Sequence, residues 1–178
     1  MTGMSDDLRY PVGTFHVDSA VTPEKRAAWI HQIADTPARL RAAVAGLAQP
    51  QFDTPYRPGG WTVRQVLHHV PDSHMNAYCR FKFALTEDNP TIKPYDEAAW
   101  AGVADTAKTP PGVSLALLDA LHERWVVLLE SMDAAAFARP FTHPEHGSRT
   151  LDWMLQLYAW HGRHHAAHIT ELRKREGW

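Results

Sequence analysis

Twelve histidines stand in a chain of 178 residues, and seven of them fall in two short blocks: His68, His69 and His74, then His161, His164, His165 and His168. Neutral imidazole is a common nitrogen ligand for transition metals, and two histidines four apart on a helix present both rings from one face. His161 and His165 have that spacing. A pair still needs a third ligand from elsewhere in the chain before it can hold an ion with a position left open for substrate. The structural alternative is a pair of half-buried histidines bonded to carboxylates or water.

Four helices are predicted to position these blocks. The first opens at Thr22-Pro23-Glu24, a capping residue followed by proline and an acid, and extends to about Ala48, with Pro37 kinking or restarting it and Thr36 as a second cap. The second begins after Thr62, whose spacing to Gln65 is that of a capping box with Trp61 and Val66 flanking it, and runs from Val63 to about Leu85. Leu115, Leu118, Leu121, Trp125, Leu128, Leu129 and Met132 mark a third helix over roughly 115–132. The fourth follows Thr150 and stops near Gly177. Four such segments predict an all-α four-helix bundle. No alternating run suggests a strand, residues 1–20 read as an extended segment, and the long 86–112 connection is expected to carry a short helix over Tyr95–Val103.

At about 100° per residue, the apolar stripe of the fourth helix centres close to His165, with His161 and His168 flanking it and His164 farther round. On the second helix the same arithmetic places His74 inside the stripe, His69 on its edge and His68 on the far side. His69 shares its edge with Gln65, Ser73, Asn76 and Arg80, a polar strip suited to a wet pocket. His74 fits a satisfied core histidine better than a ligand. Pro71 leaves the Leu67 carbonyl without its helical partner and predicts a local kink or bulge near His69.

Other chemistries find little support. Lys and Arg total 18 against 20 Asp and Glu, a net charge of −2 with no basic block, so nucleic acid is a poor partner. A single cysteine, Cys79, excludes an internal disulfide framework, lies opposite the apolar stripe and reads as passive. No apolar run is long enough to span a membrane, no signal-peptide pattern opens the chain, and the expected location is cytoplasmic. Phosphate loops, HExxH and nucleophile-elbow patterns are missing from the sequence. His122 reads as structural, and His16, His31, His143 and His146 pair with neither block.

The strings GGWTVRQVLHHVPDSHMNAYCRFKFALTED, PTIKPYDEAAW and YAWHGRHHAAHI resemble the DinB superfamily and, within it, the YfiT-like branch of metal-dependent hydrolases and bacillithiol S-transferases. The resemblance extends from Tyr10-Pro11 to Gly177-Trp178 and implies one DinB-like domain over residues 1–178 and a homodimer. It implies a three-histidine site for one divalent metal. The second-helix ligand, eight residues after the tryptophan of WTVR, falls on His69, and the HxxxH pair falls on His161 and His165. Two departures stand out: Pro71 in place of a small helix former, and His168 where many relatives carry glutamine, which offers a fourth nitrogen that would close the site.

Three imidazoles around Zn²⁺, with Ni²⁺ or Fe²⁺ as alternatives, leave a position open for catalysis. Metal-activated water would make a hydrolase, and a metal-bound thiolate would make a thiol transferase. Asn76 and Arg80 are the expected contacts to a small-molecule substrate, with Arg80 suited to a carboxylate or phosphate. His168 and Asp72 are expected behind the ligands, and Trp61, Trp100 and Trp160 are candidates for the pocket wall. A non-catalytic bundle that binds metal or a protein partner is the reading from another class.

Overall fold

The computed structural model describes residues 8–178. Its helices are α1 (Pro23–Ala34), α2 (Thr36–Val44), α3 (Gln49–Phe52), α4 (Val63–Thr86), α5 (Glu97–Trp100), α6 (Ala104–Lys108), α7 (Pro111–Glu130), α8 (Ala134–Phe137) and α9 (Leu151–Glu176). A hairpin of β1 (Pro140–His143) and β2 (Gly147–Thr150) precedes α9. The four-helix bundle consists of the α1–α2 pair, α4, α7 and α9. Around the bundle, α9 packs between α1–α2 and α4, and α7 closes the ring on the other side. Successive helices therefore lie on diagonals: α1–α2 and α4 face each other across the core, as do α7 and α9. This order makes α4 and α9, the two histidine-bearing helices, direct neighbours.

Local chemistry sets the helix ends. The Thr22 hydroxyl accepts from the Lys25 N–H, Thr62 and Gln65 complete a reciprocal capping box, and the Thr150 hydroxyl accepts from the Trp153 N–H. Gly177 closes α9 in the left-handed conformation, φ 71°. The first helix ends at Val44 rather than Ala48 and breaks at Asp35; Thr36 is no cap, because its hydroxyl donates back to the Gln32 carbonyl (3.1 Å) as the first residue of α2. Pro37, at the second position of α2, needs no N–H partner there. The third helix begins earlier than its leucine period suggests, at Pro111, for the same reason.

The helix α4 runs through Pro71 as one helical segment, packed by α7 and α9. Two further expectations are corrected. The strand pair is a departure from a wholly helical reading: four residues per strand are too few to show an alternation, and Gly147, at φ 69°, makes the turn back. Within the 86–112 connection, α5 occupies part of the expected Tyr95–Val103 helix, capped by Asp96, and α6 is an additional turn beyond it. Thr142 ties this connection to the hairpin through two backbone bonds, from Ile92 N–H to its carbonyl (3.0 Å) and from its N–H to the Pro90 carbonyl (2.9 Å).

Residues 1–7 of the expected extended segment lie outside the described residues. From Tyr10 to Ala20 the chain has no helix or strand and runs along α9, where Trp160 Nε1 donates to the Gly13 carbonyl (3.0 Å) and Gln156 holds Asp18 at both backbone groups. Two apolar clusters fill the bundle, one around Ile33, Phe81, Trp125, Leu129 and Met154, the other around Leu40, Val66, Leu67, Leu118 and Ile169. The histidines lie between them. No helix among the described residues is long and apolar enough to cross a membrane.

α9 approaches α2 closely at Gly162, where an added Cβ would overlap the Thr36 hydroxyl and lie 2.7 Å from its methyl carbon. Overpacking at such a contact costs about 1–3 kcal/mol. Gly162→Ala is therefore expected to lower unfolding stability by that amount in urea titrations, and adding Thr36→Ala is expected to recover most of the loss.

Candidate metal centre

His69 reaches the site from the second turn of α4, and His161 and His165 reach it from one face of α9. One nitrogen from each of the three lies within 4.8 Å of the others. His69 Nε2 and His161 Nε2 are 3.3 Å apart. Nitrogens bound about 2.0–2.1 Å from a tetrahedral zinc ion stand roughly 3.3–3.4 Å from one another, so this separation and the all-imidazole donor set fit such an ion. Two other groups have ligand-like proximity: His164, His165 and His168, which shares His165 with the first, and His143, Glu145 and His146 on the hairpin. Within the latter, His143 Nδ1 already accepts from the Glu145 N–H (3.1 Å).

Burial governs the charge of these rings. It lowers His69 to about 4 and His168 to about 4, and holds His161 and His165 well below the ordinary value of 6.5. Mutual repulsion among the cationic forms adds to the effect. All are therefore neutral near pH 7, the form that ligates metal.

Behind His161 lies an ordered set of side chains. His161 Nδ1 is 3.0 Å from His74 Nε2, His74 Nδ1 is 2.8 Å from His122 Nε2, and His122 Nδ1 is 2.8 Å from the Ile33 carbonyl. His74 is thus a fully buried histidine with both nitrogens bonded, as its place inside the apolar stripe predicts. Trp125 stands edge-on to His74, His122 and Tyr158 and fixes their planes. On the open side, Ser73 Oγ lies 3.4 Å from His161 Nε2, and the Tyr158 hydroxyl donates to the Ser73 carbonyl (3.2 Å).

The site opens into a cleft of about 590 Å³ along α9. Arg9, Tyr56, Arg57 and Trp61 line it toward His168, and Arg80, Tyr95, Glu97, His143 and Trp153 line it toward the hairpin. Arg80 is on the wall, with its guanidinium donating to the Lys93 carbonyl (3.0 Å). Asn76 is not on that wall; its amide donates to the Asp72 carbonyl one turn back (2.9 Å). Asp72 does not line the cleft either. Burial, with Asp105 nearby, raises its carboxyl to about 6. His168 stacks on Tyr56 with ring centres 3.9 Å apart and donates from Nε2 to the Arg9 carbonyl (3.0 Å), which leaves Nδ1 facing the cluster.

Trp61 and Trp160 wall the cleft, whereas Trp100 packs on Tyr95 outside it. His68, expected to face away, is buried against α7 with Nδ1 2.6 Å from Ser114 Oγ, because α4 is covered by α7 as well as α9. His143 and His146, which carry no pairing signal in sequence, reach the cleft through the hairpin. Cys79 is exposed.

A family model described as the DinB superfamily matches residues 32–169, and the chain belongs to that superfamily. A Bacillus cereus (strain B4264) protein named "Putative metal-dependent hydrolase" is 57% identical over 173 residues, covering 97% of this chain and 99% of that protein. A Bacillus mycoides (strain KBAB4) protein of the same description is 56% identical over 172 residues, with 97% and 99% covered. Among solved structures, the chain is similar to one described as "YfiT from Bacillus subtilis is a probable metal-dependent hydrolase with an unusual four-helix bundle topology", at 48% identity and TM-score 0.94, covering 97% of this chain and 99% of that one.

The lowered histidines set the acid response of the metal-free protein. His69 and His122 protonate at about 4 when folded and at the ordinary 6.5 when unfolded. Between those values the unfolded chain binds more protons, so stability falls as pH drops through the window and levels off above it. The expected slope is about 1.4 kcal/mol per pH unit for each histidine that stays neutral, read from denaturation midpoints between about pH 4.5 and 7.5. A flat profile there would show that the buried rings are already charged.

Proposed function

We propose that the chain is a metal-dependent hydrolase of small anionic substrates, with His69, His161 and His165 as the ligands of one divalent transition ion, zinc first, with nickel or iron as alternatives. The observation that carries this reading is the convergence of three neutral imidazoles, one nitrogen each within 4.8 Å, beside an open cleft whose wall includes His161 and His165. An ion held there supplies Lewis acidity, polarising a carbonyl or phosphoryl oxygen and lowering the pKa of water toward about 7.

The chain's own groups supply binding and orientation. Arg80 offers a planar donor pair to a substrate carboxylate or phosphate. Burial raises the phenol of Tyr95, so it keeps its proton and acts as a hydrogen-bond donor toward an oxygen gaining negative charge. The Tyr95 hydroxyl is buried with no partner of its own. Trp61 and Trp160 keep the cleft wall apolar beside the ligands and limit water around a bound substrate.

Thiol transfer is the second reading, favoured by the arginines at both ends of the cleft. From His168 to Trp153, α9 spans roughly 22 Å, with Arg9 and Arg57 at one end and Arg80 at the other. Two anionic molecules, a carboxylate-bearing thiol and its electrophile, would each find a cation there.

Elemental analysis of untagged protein tests the metal reading. About one equivalent of transition metal per chain is expected in the wild type, and none in His161→Ala. Wild-type protein that stays metal-free after incubation with Zn²⁺, Ni²⁺ and Fe²⁺ would overturn it. Ester or amide cleavage without added thiol, reduced about 100-fold or more in His69→Ala, is expected of the hydrolase. Thiol-dependent consumption of a bimane-type electrophile with no such cleavage would instead select the transferase, and metal uptake with neither activity would select a binding protein.

A further inference from the structure

We infer that His122 and His74 are positioning residues that fix the tautomer of His161 through a directed row of hydrogen bonds crossing the whole bundle. The row takes one group from each bundle helix: the Ile33 carbonyl of α1, His122 of α7, His74 of α4 and His161 of α9.

Its direction is set at the anchored end. A carbonyl can only accept, so His122 Nδ1 carries the proton and donates to Ile33 (2.8 Å). A neutral imidazole has one N–H, so His122 Nε2 is a lone pair and accepts from His74 Nδ1–H (2.8 Å). By the same rule His74 Nε2 accepts from His161 Nδ1–H (3.0 Å). The row ends with an unprotonated His161 Nε2, the nitrogen that faces His69 Nε2 at 3.3 Å. A reversed row would leave the Ile33 carbonyl facing a lone pair and would put a proton on the nitrogen needed for ligation.

Sequence explains why the anchor is available. In a continuous helix the Ile33 carbonyl would accept from the N–H four residues on, and that residue is Pro37, which has none. The same proline that restarts the first helix thus frees the acceptor on which the row depends. His74 and His122 are 0% and 2% exposed, so no solvent competes for their nitrogens. Neither residue is a candidate ligand in any of the three clusters.

The inference rests on His161 being a ligand, and its test has one part that needs no metal. Long-range ¹H–¹⁵N NMR of the metal-free wild type is expected to show His161 protonated at Nδ1 and bare at Nε2. A His161 ring protonated at Nε2 in that spectrum would overturn the inference. His122→Phe removes the acceptor for His74 and is expected to lose the single tautomer at His161 and to weaken Zn²⁺ binding about 10–100-fold in competition with a chromophoric chelator. His122→Gln, whose amide oxygen can accept from His74 Nδ1–H, is expected to recover affinity. A folded His122→Phe protein with wild-type tautomer and wild-type Zn²⁺ affinity would equally overturn the row. If His122→Phe does not fold, the wild-type spectrum decides. A wild type with the expected tautomer that takes up no Zn²⁺ supports the row while removing the metal reading, so the two fail separately.

Discussion

Burying an imidazole in a helical bundle is costly unless it is uncharged and its nitrogens have partners. This constraint shapes the centre of the molecule. Loss of charge leaves each ring with one donor and one acceptor, and a set of such rings can be satisfied only as a sequence with a sense of direction. Ile33 supplies the acceptor at one end, and the three candidate ligands share the other. Trp125 and Tyr158 pack around the rings and keep their planes from turning. The apolar clusters on either side hold the helices at the separation this arrangement requires.

The diagonal order of the helices serves the same end. In a simple up-and-down bundle the second and fourth helices would sit on opposite corners, too far apart for His69 to meet His161. Here they are adjacent, and the cost is a set of long connections across the ends of the bundle. Those connections are put to use. The hairpin brings His143 and His146 to the cleft, the 86–112 segment brings Tyr95 and Glu97, and the segment after Thr54 brings Arg57 and Trp61. The cleft is therefore a product of topology, with its floor on α9 and its rim on the loops.

Much of this is written locally in the sequence, and some is not. The capping chemistry of Thr22, Thr62 and Thr150 and the terminal Gly177 mark helix ends to within a residue or two, because those signals act over three or four positions. The facing of His161 and His165 follows from helical period. The burial of His68 does not, since a helix with two neighbours has two buried faces and an apolar stripe reveals only the stronger. The hairpin is too short to leave a pattern. Tyr158 reads as one more apolar residue, although its hydroxyl sits beside the site. The bonds of His122 to Ile33 and His74 span 89 and 48 residues of sequence, a distance over which no spacing rule operates. Resemblance could select His69 over His74; geometry shows what His74 does instead.

The neighbouring of α4 and α9 has a consequence for how the chain comes off the ribosome. His69 and His161 are 92 residues apart, and α9 follows all the other described elements in the chain. Until it emerges, α4 lacks one wall, His74 lacks a partner at Nε2, and the first apolar cluster is missing Leu151, Met154 and Leu155. Domains generally fold as units during synthesis, and here the bundle closes only when α9 packs on α1, α2 and α4. Until α9 is made the nascent chain keeps these apolar faces uncovered, and a chain truncated upstream of α9 lacks one wall of both apolar clusters.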